Sequence, residues 1–258
     1  SIPIEQNRDR SFVEEAEEYF GLKNQEVVNG DTAFNKILND GNDVQREMVK
    51  VLDQIKERPK IKMDTESDSP GKYGNNVIYI NPLKPSVSFD MDAKEDFIYT
   101  IIHERTHHML YDKIEKGDLT EKEKEILGRI EGLRHQAIAL LNEDERKEFL
   151  AFCKTYEKLM DKSTKDRVDK MKKSDEKIEP LSSLTSDLKS KYYGLLNNHE
   201  FVAMAWSDEG FQKSLNKKSG IIFDKIIDTI VNLLKEIEKR ITGRDNDSTL
   251  AQTLSQSV

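Results

Sequence analysis

The chain has one cysteine, no apolar run approaching a membrane span and no excess of basic residues, and each shortage removes a class of function. A lone Cys153 excludes an internal disulfide framework and any zinc-finger-type site. It lies in a helical pattern with Phe149, Phe152, Tyr156 and Leu159, which suits a buried apolar thiol, and nothing beside it resembles a nucleophile's partner. Without a spanning run or a signal-peptide pattern, a soluble protein with no membrane partner is expected. Lys and Arg number 41 against 49 Asp and Glu, a net charge of −8, which argues against broad nucleic-acid binding. The chain begins at Ser1 rather than Met and so reads as a processed product or a piece of something longer.

What is present is charge and helical periodicity. With 36% apolar and 35% charged residues over 258 positions, a helix-rich protein is expected, large enough to bury a proper core. Residues 1–58 read as a lobe of three short helices. The first ends at Gly21, the second starts at Asp31, and the third runs from about Asn42 to Arg58, stopping before Pro59. This lobe carries no catalytic constellation. Lys60–Met63 alternates like a strand, a loop rich in Ser, Asp, Pro, Gly and Asn follows, and Val77–Ile80 is a β-favouring run closed by Asn81-Pro82. The strand 77–80 is most simply placed at or near a sheet edge, where its backbone could pair with an extended peptide; the alternative is a covered core strand.

Next comes His103-Glu104-Arg105-Thr106-His107, an H-E-x-x-H sequence. On an α-helix, positions i and i+4 share a face, so His103 and His107 can present two imidazoles to one metal ion. Glu104, beside them, could take a proton from metal-activated water. The helical setting is itself legible. Asp92 with Glu95 forms a capping-box pattern, Phe97, Ile98, Ile101, Ile102, Met109 and Leu110 make an apolar face, and no Pro or Gly interrupts Asp92 to Lys113.

Residues of about 118–173 read as a helical-hairpin insertion. Thr120 and Glu123 cap a helix to about Leu141, and a second helix is expected from Glu143 to Lys173. His135, with Glu131 one turn earlier, could supply a ligand but is more simply a solvated residue. Residues 174–190 read as a loop, followed by a short helix near Asp208–Leu215 and an apolar helix over Ile221–Ile241 ending at Gly243. The tail to Val258 is polar and is expected to be mobile. The organisation expected is thus a lobe at 1–58, a main domain at 59–242 and a tail at 243–258.

A catalytic zinc site needs three protein ligands and an open position. The candidate for the third is Glu200, in Tyr193-Gly194-Leu195-Leu196-Asn197-Asn198-His199-Glu200-Phe201-Val202-Ala203. Asn197 or Asn198 can cap a helix with Glu200 in its first turn, and small Ala203 would permit close packing; the alternative for Glu200 is a solvated helix start.

H-E-x-x-H followed well downstream by Tyr-Gly and Glu-Phe-Val-Ala resembles two related groups of zinc metallopeptidases. These are the anthrax lethal factor and Pro-Pro endopeptidase group, and the zincin-like modules in polyvalent proteins of phages and mobile elements. The resemblance spans about 77–111 and 193–215, and Asp208-Glu209-Gly210-Phe211-Gln212 is similar to a continuation common in the phage modules. The insertion between the two stretches is long, and Met204 stands where a second Glu is frequent.

The resemblance implies an α+β, predominantly helical zincin-like fold, with a small sheet packed on the H-E-x-x-H helix. It implies Zn2+ held by His103, His107 and Glu200, Glu104 as general base, and Tyr193 as hydrogen-bond donor to the tetrahedral intermediate, with Tyr192 as fallback. His108 and His199 flank these residues and are expected to point elsewhere. The implied activity is that of a gluzincin-type endopeptidase cutting a protein or peptide substrate, of viral, mobile-element or host origin. The compartment would be the cytoplasm, a virion or a host cell after delivery. Mn, Co or Ni could occupy the same ligands. The competing expectation is a structural or interaction module with a vestigial or purely structural metal site.

Overall fold

A computed structural model describes residues 8–41, 43–84, 93–110, 113 and 116–242. The described chain is predominantly helical with one mixed four-stranded sheet, an α+β arrangement as expected. It divides into two compact units: one on Glu125–Ile230, the other on the described residues between 8 and 124 together with 231–242. Gly243 and the tail, Asp92 and the first seven residues lie outside the described residues.

The unit carrying H-E-x-x-H begins with three helices, α1 (Ser11–Phe20), α2 (Asp31–Asp40) and α3 (Asp43–Ile55). Gly21 closes α1 in the left-handed conformation at φ 64°, which a residue without Cβ adopts at no steric cost. The sheet is built from β1 (Val27–Val28), β2 (Lys60–Met63), β3 (Gly71–Gly74) and β4 (Val77–Ile80), in the order β1-β2-β4-β3. β2 and β4 run parallel, and the outer pairs are antiparallel. Ile61 lies beside Ile78 and Met63 beside Ile80, all buried, which pins the register. Burying each of these large apolar side chains contributes about 1.5–3 kcal/mol.

This order corrects the placement of strand 77–80. β4 is interior, with its backbone groups shared between β2 and β3, so a peptide cannot add along it. The edge strand beside it is β3, in a stretch whose Gly, Lys and Tyr read as loop. Asn75 and Asn76, both at positive φ (52° and 60°), turn the chain tightly from β3 into β4. Asparagine tolerates that region better than most residues, and it suits the right-handed twist of a two-residue hairpin.

The helix α4 (Ala93–Leu110) carries the motif. It packs against β3 and β4 and also against α1 and α3. The sequence suggests one apolar face, yet Asp96, Thr100, His103, Glu104, Arg105, Thr106 and His108 are buried as well. A helix enclosed by neighbours must bury its polar side too, and Asp96, Arg105, Thr106 and His108 each have a hydrogen-bonding partner there. The Arg105 guanidinium donates to Asp53 at 2.6 Å and lies 4.3 Å from the Phe34 ring centroid, joining α4 to α3 and α2. Arg8 pairs with buried Asp96 at 2.5 Å.

Among the described residues seven further α-helices follow: α5 (Glu121–Ala139), α6 (Glu143–Thr155), α7 (Lys162–Met171), α8 (Ser186–Tyr192), α9 (Asn198–Ser207), α10 (Glu209–Lys218) and α11 (Gly220–Thr242). Thr120 and Glu123 form the expected capping box ahead of α5. Asn142 and Glu145 form another at α6. The single helix expected over Glu143–Lys173 is broken. α6 ends at Thr155, a 3-10 turn covers Glu157–Leu159, and α7 restarts behind Asp161, whose carboxylate accepts from the Thr164 N–H. An Asp side chain competes for local N–H groups and favours a helix start over a helix interior. α8 likewise occupies the end of the stretch expected as loop, capped by Thr185. Among the described residues, no helix is long and apolar enough to cross a membrane.

Candidate metal centre

On α4 the helical rise brings the Nε2 atoms of His103 and His107 to 3.1 Å from each other, with ring centroids 4.8 Å apart. Two nitrogens at about 2.0–2.1 Å from a tetrahedral ion would stand about 3.3 Å apart, so the pair already sits near ligand spacing. His103 is 8% exposed and His107 half-buried. Tyr99, one turn before His103, brings its hydroxyl to 3.5 Å from the Nδ1 of that ring, a long contact on the nitrogen facing away from His107. A partner on the second ring nitrogen fixes a ligand histidine's tautomer and orientation. The i−4 spacing of Tyr99 from His103 was the available signal for this contact.

Glu104 is 7% exposed. Edge strand β3 runs against it at Gly71, where a Cβ would stand 2.6 Å from Thr100 Cγ2 and 3.0 Å from Glu104 Oε1. Gly71 therefore permits the strand to approach the carboxylate closely. His108 turns away from the pair. Its Nε2 meets Asn76 Oδ1 at 2.7 Å, its ring packs on Tyr73, and its carbonyl accepts from Lys56. It thus ties α4 to the β3–β4 turn.

Glu200 is set by its own helix start. Asn197 caps α9, and its side-chain oxygen accepts from the Glu200 N–H at 2.8 Å, which puts Glu200 in the first turn, half-buried. The 3-10 turn Tyr193–Leu195 packs against α9. A Cβ on Gly194 would meet Phe211 at 2.8 Å and Met204 at 3.0 Å, so the glycine in Tyr-Gly is required by packing. Met204 is buried against this turn, an apolar setting in which a second Glu would be poorly solvated.

The Tyr193 ring is half-buried and lies edge-on to Tyr156, with centroids 5.8 Å apart. Tyr192, the fallback donor, is fully buried and gives its hydroxyl to Glu148 at 2.8 Å. Burial first, then that bond and the Glu148 charge, push its pKa far up. His199 is buried, and His135 meets Ser163 Oγ at 3.1 Å. Burial holds the His135 pKa below its usual value, and neighbouring Arg134 adds to the effect. Cys153 is buried and free, its thiol pushed up by desolvation, an inert core residue.

Among the described residues, His103, His107 and Glu200 form a group that could hold a metal ion, each offering a ligand atom within 4.8 Å of the others. Two imidazoles and one carboxylate are a donor set that suits a borderline first-row divalent ion. No family model, curated protein or solved structure matches the chain.

Proposed function

We propose that the chain is a zinc-dependent endopeptidase of the zincin type, resembling the lethal factor and Pro-Pro endopeptidase group and the phage zincin modules. The grouping of His103, His107 and Glu200 around one position carries this reading. A carboxylate next to the first histidine supports it, because a purely structural zinc site has no need of a base.

The chain's own residues then have distinct tasks. His103, His107 and Glu200 would hold the ion, leaving a fourth position for substrate or water. When bound, zinc supplies a Lewis acid that polarises a carbonyl and brings the acidity of water towards neutrality. Glu104, held beside the histidines and screened by β3, accepts the proton of the attacking water and delivers it to the leaving amine. Tyr193 donates a hydrogen bond to the oxygen on which charge develops. Among the described residues β3 pairs on one side only, so its outer edge is where an extended peptide backbone can align.

The test is a peptide-library cleavage assay on the full chain loaded with zinc, with Glu104→Gln alongside. The parent should cut, and the variant should keep its metal and lose cleavage. Cleavage by Glu104→Gln at the parental rate would remove the mechanism. A parent that holds zinc and cuts nothing would favour a structural metal site in an interaction module.

A further inference from the structure

Arg134, in α5, is wholly buried, yet its guanidinium carries five N–H donors that need acceptors. All are met. Nε donates to Asn198 Oδ1 at 3.0 Å, and Nη1 donates to the Leu195 carbonyl at 3.0 Å and to the Thr164 hydroxyl. Nη2 donates to Asp161 Oδ2 at 2.8 Å and to Ser163 Oγ at 3.1 Å. One planar fork therefore joins two segments distant in sequence, the start of α7 and the start of α9.

Two further bonds lie alongside it. Asn197 Nδ2 donates to the Leu159 carbonyl at 2.8 Å, and the Asp161 N–H points to the Leu196 carbonyl at 3.4 Å. Every residue from Leu195 to Asn198 is thereby tied directly to the helical insertion. Glu200 follows two positions later, with its own N–H held by Asn197.

Stability alone does not explain this arrangement. Burying a cation is costly, and a well-packed apolar side chain often serves a core equally well or better. What the fork adds is geometry, since a rigid set of donors fixes the turn that carries the carboxylate. Resting on the reading of Glu200 as a metal ligand, we propose that Arg134 is the positioning residue for Glu200. The helical insertion is then the scaffold of the third ligand.

The experiment uses the full chain, with Arg134→Lys, Glu200→Gln and the double variant, titrated with zinc against a chromogenic chelator well below their melting temperatures. Lysine keeps the charge and loses the fork. Zinc affinity of Arg134→Lys should fall about 10–100-fold, the usual effect of removing the support of a ligand. In the Glu200→Gln background the same change should cost nothing further, because the residue it acts through is already gone. Parental affinity in Arg134→Lys, or an equal loss in both backgrounds, would overturn the proposal. If Arg134→Lys does not fold, Asn198→Ala removes a single acceptor and should lower affinity by a smaller factor; unchanged affinity there counts against the idea. Amide hydrogen exchange gives an arm independent of metal: amides 196–201 should exchange faster in Arg134→Lys while those of 101–107 keep parental rates. Unchanged exchange at 196–201 also overturns it. A parent that binds no zinc, with exchange responding as described, sinks the metal reading and leaves Arg134 as the organiser of this turn.

Discussion

Gly71 on the edge strand stands so close to Glu104 on the motif helix that a single added Cβ would lie 3.0 Å from the carboxylate oxygen and 2.6 Å from Thr100. Gly71→Ala should therefore displace Glu104 or push β3 outwards. Overpacking of this kind typically costs about 1–3 kcal/mol. Zinc content should hold, because none of the proposed ligands is touched, while cleavage falls. Urea unfolding, metal analysis and kcat on the same preparation check the three statements together.

The two adjacent tyrosines can be separated. Tyr193→Phe should lower kcat about a hundredfold with KM and metal content little changed, the pattern of a lost transition-state donor. Tyr192→Phe should leave kcat near parental and lower stability instead, since its ring is buried and its hydroxyl is held by Glu148. Steady-state kinetics and thermal melts of the pair decide the assignment. The reverse pattern would move the role to Tyr192.

Acid should weaken the unit that carries α4, partly through Asp53. Burial raises its pKa, but hydrogen bonds and charge from Arg58 and Arg105 together outweigh that and leave it below the ordinary value. A carboxylate depressed on folding contributes stability that is present above its unfolded pKa of about 3.9 and lost as pH falls through the folded one. Urea midpoints should therefore drop with acidification below about pH 4, and Asp53→Asn should flatten that part of the curve. At neutral pH, Asp53→Ala strands buried Arg105 and should cost about 1–3 kcal/mol.

Parts of this structure can be read locally and parts cannot. The starts of α9 and α5 follow from Asn197 and Thr120, because caps are short-range chemistry. The motif helix is equally plain. β3 is hidden because Gly71-Lys72-Tyr73-Gly74 has two glycines and no apolar alternation; only its pairing with β4 makes it a strand. The interior position of β4 is likewise set by pairings distant in sequence. Arg134 resembles a surface charge on a charged helix, and only the convergence of residues 161–164 and 195–198 makes it a core residue. The capping Asp161 was the local sign that α6 and α7 are separate helices.

Metal should stabilise the chain by mass action, since an unfolded chain presents no assembled ligand set. At a thousandfold excess over Kd the linkage contributes about 4 kcal/mol, so a chelator should lower Tm by several degrees and zinc should restore it. Thermal melts with and without chelator, repeated on His103→Ala, test this: the variant should melt at the same temperature in both conditions.

The most direct measurement is the zinc content and affinity of the full chain purified without chelator, set beside Glu200→Ala. The account predicts stoichiometric zinc in the parent and a loss of affinity of at least about tenfold when the carboxylate is removed. A parent without metal, or a Glu200→Ala variant that binds zinc as tightly as the parent, would contradict it.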